Sequence, residues 1–108
     1  MELNEYQRMA QRTAGAGGRA HERRLMVAAL GLAGEAGEFA NLVKKLTAHK
    51  HFITNAELAD ELGDVLWYLA EAATVCGLDL DVIAYRNIEK LKERYPKGFD
   101  PERSRNRD

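Results

Sequence analysis

The sequence holds very little of what stops a helix or staples a fold. Its two prolines, Pro96 and Pro101, both lie near the C-terminus, so residues 1–95 are free of the ring that removes a helical hydrogen bond. A single cysteine, Cys76, excludes an internal disulfide and fits a reducing compartment. No unbroken apolar run reaches the ~18 residues of a membrane span, and the N-terminus lacks the apolar core of a signal peptide. A cytoplasmic protein with no membrane role is therefore expected. No segment alternates apolar and polar residues long enough to be a strand. The glycine-rich stretch at 31–37 has neither a preceding strand nor the Gly-Lys-Ser/Thr ending of a phosphate loop, which excludes that reading.

What is present fits one small helical domain spanning residues 1–108, with a polar tail from about 96 to 108. A chain of this length buries a modest share of its surface, so help from oligomerisation is expected. Net charge is −1, but the charges are sorted: residues 1–24 carry +2, residues 25–85 carry −6 and residues 86–108 carry +3. An acidic centre suits cations, and basic flanks suit an anionic ligand held beside them. Nucleic acid is not an expected partner, because the centre is acidic and the basic residues are scattered over both ends.

Helical periodicity runs along most of the chain. Leu3, Tyr6, Met9, Ala10 and Thr13 mark one face of a short helix, and "AGAGGRA" (14–20) breaks it. Leu25, Ala29, Leu32, Ala36, Phe39, Val43 and Leu46 then alternate spacings of four and three, as do Leu58, Leu62, Val65, Leu69, Ala72 and Cys76. Such heptads predict two long helices packed along apolar seams. Thr54 and Glu57 form a capping-box pattern, Gly77 is placed to end the second long helix, and Asp79 to cap the next. The expected architecture is all-α and four-helix-bundle-like, its two long central helices carrying the acid pairs, assembled as a dimer or a dimer of dimers.

Those acid pairs are Glu35 with Glu38 and Glu61 with Asp64, each three residues apart and so on one helical face. If the helices pack antiparallel, four carboxylates converge and raise one another's pKa values. A hard divalent cation removes the conflict, Mg²⁺ first and Mn²⁺ as a substitute. No histidine follows either pair at the Glu-x-x-His spacing of di-iron bundles. Gly31, Gly34 and Gly37 each cost a helix interior roughly 1 kcal/mol relative to alanine. Side chains lean toward the helix N-terminus, so Glu35 leans over Gly31 and Glu38 over Gly34. Glycine there leaves space for metal, water and ligand oxygens, or else only allows tight helix packing, as Gly37 does on either reading.

"GLAGEAGEFANLVKK" followed by "ELADELGDVLWYLA", with "NIEKLKERYPKGF" behind them, resembles the MazG-like nucleotide pyrophosphohydrolases of the all-α NTP pyrophosphatase superfamily. Their pattern, Glu-x-x-Glu on one helix and Glu-x-x-Asp on the next, matches Glu35, Glu38, Glu61 and Asp64. Gly34 departs from it, since many members carry a further acid there. The resemblance implies cleavage of a nucleoside triphosphate, NTP or dNTP, to the monophosphate and pyrophosphate. It implies Glu35, Glu38, Glu61 and Asp64 as Mg²⁺ ligands, with Glu38 favoured as the catalytic residue that activates water. It also implies Tyr68, Asn87, Lys90 and Arg94 as substrate-binding residues; Lys45, two turns beyond Glu38, joins them by position. The alternatives are the phosphoribosyl-ATP pyrophosphohydrolase of histidine biosynthesis and a non-catalytic helical interaction module. Tyr6 and Gln7 are candidates for a base pocket. The cations His21, Arg23 and Arg24 at a helix entry oppose the helix dipole and hint at an anionic partner.

Overall fold

The computed structural model describes residues 1–15 and 20–106. Helix α1 (Leu3–Ala10) runs on into a 3₁₀ turn (Gln11–Thr13), followed by α2 (His21–Thr47), α3 (Asn55–Val75), α4 (Leu80–Arg94) and a short α5 (Pro101–Arg105). Among the described residues there is no strand, so the all-α reading holds. The break predicted at 14–20 is seen at Gly15, whose φ is +56°; its residues 16–19 lie outside the described residues. The polar tail is not wholly irregular, because Asp100 accepts from the Glu102 N–H and Pro101 opens α5 at its first turn.

Local signals end the central helices where the sequence places them. The Thr54 hydroxyl accepts from the Glu57 N–H at 3.1 Å, and the Thr54 N–H donates to the Glu57 carboxylate at 2.8 Å. This is the reciprocal capping box. Gly77 takes φ +72°; its N–H donates to Thr74 O, and the Leu78 N–H donates to Ala73 O, which completes a Schellman stop.

The start of α4 differs from expectation. Asp79 occupies the N-cap position but its side chain makes no cap bond. The orphan N–H groups are met from α1 instead: Leu80 donates to Gln7 Oε1 at 2.8 Å and Asp81 to Asn4 Oδ1 at 3.0 Å. Gln7 also donates to Thr74 Oγ1 and to the Leu78 carbonyl. It is therefore a buried strut joining three elements, with both amide hydrogens and one lone pair of its oxygen in use.

The α2–α3 hairpin is antiparallel, and the predicted apolar seams make up only part of its contact line. Leu25, Leu32, Phe39, Val43, Leu58, Val65 and Ala72 are half-buried, whereas Ala29, Ala36, Leu46, Leu62, Leu69 and Cys76 are exposed. The facing stripes run through Arg24, Ala28, Gly31 and Glu35 on α2 and through Glu61, Asp64, Tyr68, Glu71 and Val75 on α3. Arg24 forms a two-pronged ion pair with Glu71 (2.9 and 3.1 Å), and His21 Nε2 donates to the Val75 carbonyl at 2.8 Å. Both stripes obey the same four-three spacing as the apolar ones. Small residues let the backbones approach and the Arg24–Glu71 ion pair satisfies the buried charge, so this line packs closely. The cationic helix entry thus finds two of its partners, for His21 and Arg24, inside the chain.

The apolar core is small: Ala28, Ala70, Ala73, Val75 and Leu80, with Tyr6, Ala10 and Ile83 packed on part of it. Helix α4 packs chiefly against α1. The radius of gyration is 16.9 Å, against about 13 Å for a compact chain of this length.

Candidate metal centre

Antiparallel register sets the site. Arg24 meets Glu71 and His21 meets Val75 near one end of the hairpin. Three turns along α2 from Arg24 is Glu35; two turns back along α3 from Glu71 is Asp64. The same pairing brings Glu35, Glu61 and Asp64 together, with one carboxylate oxygen from each within 4.8 Å of the others. Glu35 and Glu61 are half-buried and Asp64 is exposed, so the cluster opens to solvent on one side. Glu38, one turn along from Glu35, is exposed and lies outside that group of three.

The three oxygens are close enough to oppose one another. The Glu35 carboxyl is pushed above its ordinary value, first by desolvation and then by the charges of Asp64, Glu61 and Glu38. The influence of Glu38 shows that it shares the field of the cluster. Oxygens on one six-coordinate Mg²⁺ lie about 3.0 Å apart as neighbours and about 4.2 Å apart as opposites, from a metal–oxygen distance of ~2.1 Å. Side-chain rotation that draws the three oxygens inward would let them share such an ion, and an all-carboxylate donor set is that of a hard divalent cation.

Tyr68 sits one turn below the acids. A Cβ built on Gly31 would overlap the Tyr68 ring, so the space over Gly31 is filled by that ring and is not kept open for metal or ligand. Among the described residues nothing outside the helix's own backbone stands within 4 Å of a Cβ built on Gly34 or Gly37, and Gly37 makes no close helix approach to them. Trp67 packs edge-on to Tyr68, and its indole N–H donates to Thr13 Oγ1 and to the Ala10 carbonyl. From α1, the half-buried Tyr6 lies within electrostatic reach of Asp64. Its hydroxyl is pushed upward, first by burial and then by that carboxylate, which keeps it protonated.

The other expected substrate residues lie near the end of α2 and along α4. Lys45 is exposed near the end of α2. Asn87 and Lys90 line a shallow groove on α4 beside Val82, Tyr85 and Glu93. The guanidinium of half-buried Arg94 lies 6.0 Å from the Tyr95 ring centre. Sequence reading missed the Arg24–Glu71 pair and the Gly31–Tyr68 contact. The signal was available: Arg24, Ala28, Gly31, Glu35, Glu38 and Glu61, Asp64, Tyr68, Glu71 repeat at heptad spacing as regularly as the leucines do.

Comparison with known proteins places these acids in context. The family described as the MazG nucleotide pyrophosphohydrolase domain matches residues 25–99, the span from early α2 to just past α4. The Gene 37 protein of Mycobacterium phage L5 is 39% identical over 105 residues, covering 91% of this chain and 92% of its own length. No solved structure matches.

Proposed function

The chain belongs to the MazG nucleotide pyrophosphohydrolase family, and from that membership we propose that it hydrolyses nucleoside triphosphates, NTP or dNTP, to the monophosphate and pyrophosphate with the help of Mg²⁺. The observation that carries the reading is the convergence of Glu35, Glu61 and Asp64 within 4.8 Å, at the register where the family's acid pattern falls. These three would hold the cation, with Mn²⁺ as a substitute. When bound, the ion supplies charge neutralisation for the phosphate oxygens, the main need in attack on an anionic phosphorus.

The chain's own residues supply the rest. Glu38 is exposed, one turn from Glu35 and outside the close group. That position favours it as the base that takes a proton from the attacking water, and it can join the ligands only by moving inward. The water oxygen bonds to the α-phosphorus, the bond from that phosphorus to the α–β bridging oxygen breaks, and pyrophosphate leaves with the electron pair. Tyr68, beneath the acids, would contact the nucleotide. Lys45, Asn87, Lys90 and Arg94 would offer cationic and amide groups to phosphate or sugar, with Asn87 and Lys90 brought to the site through assembly with a second subunit.

A homodimer or homotetramer is part of the proposal. Exposed apolar side chains include Leu30 (66%), Tyr85 (67%) and Phe99 (73%), far more than a five-residue core balances. Over 18 residues α2 has a mean hydropathy of 1.2, enough by length and composition for a membrane span. Two carboxylates, Glu35 and Glu38, and the α3 contact line argue against a span, and a cytoplasmic protein without membrane or nucleic-acid partners is part of the proposal.

A panel of ribo- and deoxyribonucleoside triphosphates plus phosphoribosyl-ATP, incubated with Mg²⁺ and analysed for products, tests the reading. Monophosphate and pyrophosphate are expected from the common triphosphates. Turnover of phosphoribosyl-ATP alone would move the assignment to that hydrolase, and no turnover of any would favour an interaction module. Mg²⁺ must also raise the melting midpoint, because a ligand that binds the folded state stabilises it.

A further inference from the structure

The acid cluster needs α2 and α3 held at one separation, although its own charges push them apart. On the side away from the interhelix turn, the neighbouring layer of the seam is Gly31 against Tyr68. Gly31 is one turn before Glu35 and Tyr68 one turn after Asp64, so in an antiparallel pair both lie on the layer directly beneath the carboxylates. A methyl group on Gly31 would occupy the position of the Tyr68 ring. The ring is thus seated against the α2 backbone, with no side chain between them. Its edge is backed by Trp67 at a ring-centre distance of 5.0 Å. The indole N–H of Trp67 in turn donates to Ala10 of α1 and to Thr13 of the 3₁₀ turn that follows it.

We infer that the Gly31–Tyr68 interlock is a positioning device for the metal centre: the ring seated on the Gly31 backbone fixes the α2–α3 distance at which Glu35, Glu61 and Asp64 converge. This rests on the metal-binding reading above and assigns Gly31 and the Tyr68 ring a role apart from any contact of the Tyr68 hydroxyl with nucleotide. The physical reason is the steepness of packing. A ring trapped between two helices resists changes of tenths of an ångström, and a cation site tolerates displacement of its ligands by only about 0.5 Å.

The test uses the full chain and its Mg²⁺ affinity by calorimetry, with Mn²⁺ as a second probe. Urea unfolding and circular dichroism follow the fold. Tyr68→Phe keeps the ring and should bind Mg²⁺ within about twofold of the wild type. Tyr68→Ala and Gly31→Ala should each weaken binding roughly tenfold or more, the scale typical of residues that support metal ligands. The double variant Gly31→Ala/Tyr68→Ala should bind no worse than Tyr68→Ala, because the added methyl then enters the notch left by the ring. If Gly31→Ala does not fold, the Phe and Ala variants of Tyr68 still decide the matter. Variants that unfold at lower urea yet bind Mg²⁺ as the wild type does would overturn the inference and leave the metal reading intact. A wild-type chain that binds neither cation would overturn both.

Discussion

At Glu35, three other carboxylates act on one carboxyl group, and the sign of the effect can be followed into stability. Its folded-state pKa lies above the unfolded one. The folded chain therefore binds this proton more tightly, and in cation-free buffer stability falls as pH rises from the ordinary carboxyl range through the raised value. Urea unfolding at a series of pH values upward from the ordinary carboxyl range should show that slope. Saturating Mg²⁺ should flatten it, and Glu35→Gln should remove it. Glu38 behaves differently on this reading. As the base, Glu38→Gln should lower kcat by roughly 10²- to 10⁴-fold while Mg²⁺ affinity stays close to that of the wild type. Comparable losses of both would make it a ligand, which is the role the family pattern alone implies. The chain names all four acids, yet only the fold separates the three that meet from the one that stands aside.

Helix boundaries were legible wherever a local motif carries them. Thr54 with Glu57 and Gly77 with Leu78 act within five residues of chain, so spacing alone finds them. The start of α4 was legible only in position, because its capping groups, Asn4 and Gln7, lie more than seventy residues away. Removing Gln7 takes the partner from the Leu80 N–H and the Leu78 carbonyl and leaves the Thr74 hydroxyl with Gln11 alone. Gln7→Ala should cost about 1–3 kcal/mol, the range for stranding buried polar groups, measured by urea unfolding. Amide exchange should rise first in the opening turn of α4. The contact stripe between α2 and α3 was legible only in part for a related reason. Two stripes of equal period lie side by side on each helix. Hydrophobicity favours the leucines, whereas close approach at Ala28 and Gly31 and the Arg24–Glu71 pair favour the other.

For the whole molecule, an open shape and a small core point beyond one chain. A single copy leaves Met26, Leu30, Leu62, Val82 and Tyr85 on the outside, a pattern that a larger assembly resolves by burial. Light scattering coupled to size exclusion should give a mass that is a twofold or fourfold multiple of 12.1 kDa. Leu30→Glu should shift that mass toward the monomer, since an ionised carboxylate cannot be buried at an interface without a partner. A monomeric mass for the wild-type chain at micromolar concentration would remove the route by which Asn87 and Lys90 reach the acids.

By itself the sequence determined the helices, their ends at Thr54 and Gly77, and the four acids, because each depends on residues close together along one helix. Tertiary structure alone decided which stripes face one another, that Gly31 makes room for Tyr68, and that α1 caps α4. Those outcomes depend on distances between elements, which are set by side-chain volume and by the satisfaction of buried polar groups, and a one-dimensional pattern records neither.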